Sequence, residues 1–62
     1  MKRDGLLRHL RRHSCELLRE GCRHSWWHNL SKNTRSAIPR HNEIDDNLAN
    51  KICKDLGVPK VK

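Results

Sequence analysis

The stretch Gly21-Cys22-Arg23-His24-Ser25 sets an imidazole just after a glycine turn, with a guanidinium on one side and a hydroxyl on the other. A histidine titrates near neutral pH and is able to take the proton of a ribose 2′-hydroxyl. An arginine is able to hold the scissile phosphate and stabilise its developing charge without a metal. The grouping therefore suits ribonuclease chemistry, although a histidine on a strand is, taken alone, more often structural. His28 lies four residues further on, roughly 13 Å away along an extended chain, too far for a close acid/base pair with His24. His41 or a lysine remains as a donor to the leaving 5′-oxygen, and spacing does not choose between them. Trp26 and Trp27 must point to opposite faces of a strand, so one belongs to the core and the other is free to stack on a base.

Other chemistries are weakly represented. Cys22-x-His24, with Cys15 or His28 nearby, lacks the C-x2-C or H-x3-H pairs of a structural zinc site, so no metal and no cofactor are expected. Neither Ser25 nor Cys22 has an evident carboxylate-oriented base to activate it as a nucleophile. No glycine-rich phosphate loop is present.

The charge balance agrees with a polyanionic partner. Among 62 residues, 14 Lys and Arg face 7 Asp and Glu, a formal charge of +7. This charge is distributed along a folded-looking pattern, which fits nucleic acid better than a membrane surface. Arg8, Arg12 and Lys32 are expected to steer RNA, with Arg23 on the phosphate and Trp26 as the stacking residue. No apolar run approaches the roughly 20 residues of a membrane span, and the N-terminus lacks the apolar region of a secretory signal. Cys15, Cys22 and Cys53 are odd in number and widely spaced, which suits a reducing compartment; two of them look like core residues. A cytoplasmic location is expected. A chain this short hides only about 60% of its unfolded surface on folding, so a partner subunit or complex is expected as well.

Periodicity supplies the elements that must position His24. Leu6, Leu7 and Leu10 mark one face of an amphipathic helix from Arg3 to His13, with Arg8 and Arg12 opposite and Arg11 on the flank. Cys15–Glu20 changes to a period of two, placing Cys15, Leu17 and Arg19 on one side and Glu16, Leu18 and Glu20 on the other. His24–Asn29 is a second strand, with His24, Trp26 and His28 on one face and Ser25, Trp27 and Asn29 on the other. Leu30–Asn33 reverses the chain, and Thr34–Ile38 is a third strand ended by Pro39. Ile44, Leu48, Ala49, Ile52, Cys53 and Leu56 line a second helix capped by Asp45 and stopped by Gly57 and Pro59. The pattern is α+β: a three-stranded antiparallel sheet with both helices on one face and the other face open. It forms a single domain over residues 1–59 with a loose tail from Lys60 to Lys62.

Leu17-Leu18-Arg19-Glu20-Gly21, Arg23-His24-Ser25, Ile38-Pro39-Arg40-His41 with Glu43-Ile44, and Leu48-Ala49 leading to Lys51-Ile52-Cys53-Lys54-Asp55-Leu56-Gly57 together resemble the HicA family of toxin ribonucleases. The resemblance covers nearly the whole chain. It implies a fold like the double-stranded RNA-binding domain and a metal-independent endoribonuclease, an mRNA interferase that cleaves messenger RNA and blocks translation. By match of motif, His24 is the family's catalytic histidine. A HicB-type antitoxin is the implied protein partner, covering the catalytic face in a hetero-oligomer. Two positions depart from the pattern: Ser14 stands where the family usually has glycine after the first helix, and Cys22 where glycine or serine is usual. Both predict strain if the backbone there enters the left-handed region. A non-catalytic RNA-binding module, or a degenerate toxin that only binds its antitoxin, are the competing expectations.

Overall fold

The apolar stripes of both helices turn into the core, with Leu48 half-buried at its margin. The computed structural model describes residues 1–60, with Val61 and Lys62 of the expected tail outside the described residues. Helix α1 spans Arg3–Arg12, followed by strands β1 (Cys15–Glu20), β2 (His24–Asn29) and β3 (Thr34–Pro39) and helix α2 (Asp46–Leu56). The strands form one antiparallel sheet in the order β1-β2-β3. Leu6, Leu7 and Leu10 of α1 meet Ala49, Ile52, Cys53 and Leu56 of α2 in a core that also takes Cys15, Trp27 and Ile38 from the sheet. Both helices thus cover the face carrying Ser25, Trp27 and Asn29. His24, Trp26 and His28 lie on the uncovered face.

The ends of α2 follow their local chemistry. The Asp45 carboxylate accepts the amide N–H groups of Asn47 and Leu48 at 3.1 and 3.4 Å. Gly57, at φ 72°, closes the helix by donating its N–H to the carbonyl oxygens of Cys53 and Lys54. At the other edge of the core, Arg11 lays its guanidinium over the Trp27 ring, 5.3 Å from the centroid.

Three local expectations are corrected. Helix α1 stops at Arg12, one residue short of His13, whose N–H turns back to Leu10 in a tighter final turn. Strand β3 runs through Pro39, which pairs in register with His24; proline is tolerated there because β3 is an edge strand. In β1 the strict alternation fails. Leu17 opposes Trp27, but Arg19, not Leu18, opposes Trp26, so a β-bulge reverses the facing of the strand beyond Leu17.

The two positions that depart from the family pattern behave differently. Ser14 has φ 67°, in the left-handed region, whereas Cys22 does not. Holding an L-residue there costs roughly 1–2 kcal/mol, partly offset by the greater unfolded-state freedom of glycine. Ser14→Gly is therefore expected to stabilise the fold by roughly 0.5–1 kcal/mol, seen as a thermal midpoint a few degrees higher. A lower midpoint would show that the serine is not strained.

Charged groups join the start of the chain to the loop before α2. Glu43 accepts ion pairs from Lys2 at 3.2 Å and from the Met1 ammonium at 3.3 Å, and Asp46 also meets that ammonium at 3.3 Å. The Lys2 contact, followed by that of Met1, holds the Glu43 carboxylate below its ordinary value of 4.5. Asp46, aided by Glu43, holds the Met1 amine above its ordinary 8.0. The lowered acid contributes stability above pH 4.5 that is lost as pH falls through its folded value. The raised amine contributes stability below pH 8.0 that is lost as pH climbs through its own. The thermal midpoint is expected to decline on both sides of that window, with Glu43→Gln flattening the acid limb.

Candidate nucleic-acid interface

His24 is the first residue of β2, and its exposure follows from how the β1–β2 turn is tied. The Gly21 N–H donates to the His24 carbonyl at 2.8 Å, closing the turn. A Cβ on Gly21 would stand 3.0 Å from that carbonyl oxygen and 3.7 Å from the five-membered edge of the Trp26 indole. Gly21 is therefore required for close approach, and its φ is not in the left-handed region.

Two arginines that were given no role in the sequence reading fasten this turn. Arg40 directs its guanidinium to the Glu20 carboxylate at 2.9 Å and also donates to the Gly21 carbonyl. Arg3, from the first turn of α1, donates to Ser25 Oγ and to the Pro39 carbonyl, each at 2.9 Å. Ser25 is consequently buried on the helix side and does not stand beside the imidazole. Register was the missing information: only the pairing of His24 with Pro39 shows that Arg40 leaves the sheet next to the turn. His41 follows on the same loop, at the same end of the sheet as His24. His28 pairs instead with Arg35, further along β2.

Arg23 lies in the turn, exposed and engaged in no hydrogen bond or ion pair among the described residues. Its guanidinium is available to an incoming phosphate. Trp26 is half-buried on the open face and lines a groove of about 370 Å³ with Leu18, Arg19 and Arg35. Trp27 is the core tryptophan, with its indole N–H buried and without a partner among the described residues.

The remaining basic candidates are not brought to His24. Arg12 and Lys32 line a cleft of about 340 Å³ that includes Asn29, at the far end of β2. Five strand residues, about 16 Å, separate Asn29 from His24. Lys32 already donates from Nζ to the Gly57 carbonyl at 2.6 Å, compensating the C-terminus of α2. Arg8 is exposed on α1, on the helix side of the sheet. These three cations can contribute to the overall field, and Arg23, Arg19, Arg35 and Arg40 are the ones near the open face or its turn.

Cys15 and Cys53 are buried and Cys22 is exposed, with no disulfide among the described residues, and burial pushes the Cys15 thiol up. Among the described residues, no helix is long and apolar enough to cross a membrane. Comparison with protein-family models, with curated proteins and with solved structures finds no match to the chain.

Proposed function

We propose that this chain is a cytoplasmic endoribonuclease of the HicA toxin type that cleaves messenger RNA without a metal. The observation that carries the proposal is the setting of His24: an exposed imidazole on the uncovered sheet face, at a turn held by Arg40 and Arg3 and next to the unengaged Arg23. A rigid turn fixes the base while leaving its ring accessible to substrate.

In this reading His24 removes the 2′-hydroxyl proton and the 2′-oxygen attacks the adjacent phosphorus. The new O2′–P bond forms as the P–O5′ bond breaks, leaving a 2′,3′-cyclic phosphate and a 5′-oxygen that takes up a proton. His41, on the loop at the same end of the sheet, is the candidate donor. Arg23 holds the phosphate and offsets its developing charge. A HicB-type antitoxin covering the open face would shield His24 and the exposed Leu18 together.

Induction of the protein and of His24→Ala in a bacterial host tests the proposal. Growth arrest and loss of messenger RNA are expected with the parent alone. Equal RNA loss with both proteins overturns the catalytic assignment, and RNA binding without cleavage by either leaves a binding module.

A further inference from the structure

The bulge in β1 changes what stands beside Trp26. Continued from Leu17 opposite Trp27, regular pairing would set Leu18 opposite Trp26 and turn Arg19 toward the helices. The extra residue instead pairs Arg19 with Trp26 and leaves Leu18 41% exposed at the rim of the same groove. Bulges next to functional sites commonly re-aim a side chain in this way. On the other side, Ala37 opposes Trp26 and is too small to cover the ring, while Arg35 sits on the diagonal. Neither the Arg19 nor the Arg35 side chain makes a hydrogen bond or ion pair among the described residues. The result is an indole flanked by two unengaged guanidinium groups on an uncovered face.

Trp26 lies two residues from His24 on the same strand face, roughly 7 Å along β2. Its pyrrole edge also faces Gly21, where an added Cβ would come within 3.7 Å of it, and Arg40 holds the carbonyl of that glycine. The groove is therefore built onto the same turn that presents the imidazole.

We infer that the groove formed by Trp26, Arg19, Arg35 and Leu18 is a base-binding subsite for an unpaired guanine next to the phosphate that is cut. This inference rests on the ribonuclease reading and adds its substrate preference. An indole stacks on a base only when that base has left a duplex, so the site selects single-stranded RNA. Guanine is favoured because a guanidinium can donate to O6 and N7 together, whereas the N3–H of uracil separates its two carbonyl acceptors and leaves no such adjacent pair. Arg19, set beside the ring by the bulge, makes that contact, and Arg35 meets the sugar-phosphate chain.

The test uses the full chain carrying His24→Ala, so that RNA is not consumed, and follows the fluorescence anisotropy of end-labelled RNA probes at low salt. The probes are a five-nucleotide RNA with central guanine, the same RNA with central uracil, and a hairpin holding that guanine in its stem. The unpaired guanine probe is expected to bind about tenfold tighter than either alternative. Adding Trp26→Leu is expected to weaken its binding about tenfold, with Trp26→Phe retaining most of the affinity. Adding Arg19→Gln should remove the preference over uracil. Equal binding of stem and unpaired probes, unchanged affinity in Trp26→Leu, or no binding of any probe would each overturn the subsite.

Cleavage by proteins with His24 intact separates this inference from the reading beneath it. Tight guanine binding by a protein that never cuts RNA overturns the nuclease and keeps the subsite. Cutting at unchanged rate and positions by Trp26→Leu overturns the subsite and keeps the nuclease.

Discussion

Purified His24→Ala is expected to cleave RNA at least about a hundredfold more slowly than the parent, because a positioned general acid or base typically contributes 10²–10⁴-fold. Its thermal midpoint should stay within about 4 °C, since exposed substitutions away from packed features stay within about 0.5 kcal/mol. The His24 side chain meets that condition: it is exposed, and the turn is held through its backbone carbonyl, which alanine keeps. A large activity loss with a preserved fold is the signature of chemistry. An equal loss of both would make His24 a structural residue, and an unchanged rate would move catalysis elsewhere.

The largest stability effect is expected at Ile52. This residue is 1% exposed and packs in the shared core of the two helices and the sheet. Truncating a buried isoleucine to alanine removes about 2–5 kcal/mol. A domain of this size holds only roughly 3–9 kcal/mol in total, at about 0.05–0.15 kcal/mol per residue. Ile52→Ala should therefore lose half or more of its urea midpoint with the slope of the transition unchanged. Leu17→Ala is the contrast, because Leu17 is 48% exposed on an edge strand and should change stability by about 0.5 kcal/mol or less. Equal costs at the two positions would contradict the placement of the core.

Legibility of the fold depended on how local each determinant was. The spans of β1 and β2 could be read residue for residue, because period-two patterning and Gly21 act over a few positions. Both caps of α2 were readable, since Asp45 and Gly57 carry their capping chemistry with them, but Ile44, expected on the helix, is buried in the loop ahead of the cap. The bulge at Leu18 was not readable. It is a property of the pairing with β2, and nothing in Cys15–Glu20 alone departs from alternation. Pro39 was misjudged for a related reason, as its tolerance depends on β3 lying at the sheet edge.

The candidate site divides along the same line. His24, Arg23 and the outward Trp26 were visible as residue types on one face or turn. Arg3 and Arg40, which hold that turn, act across sequence separations of 22 and 19 residues. Such contacts leave no local pattern. Lys32 shows the converse error: a basic residue in a polar turn looks free to bind RNA, yet its ammonium bonds the end of α2. Net charge alone does not say which cations lie near the open face.

The central claim is that His24 activates a ribose 2′-hydroxyl beside a phosphate held without a metal. Its most direct test is cleavage, in the presence of a chelator, of one labelled oligoribonucleotide and of a copy carrying a single 2′-deoxynucleotide at the cut position. The parent protein should cut the first to a 2′,3′-cyclic phosphate and leave the second intact at that position, while His24→Ala cuts neither. Undiminished cleavage at the deoxy position, or equal cleavage by His24→Ala, would contradict the account.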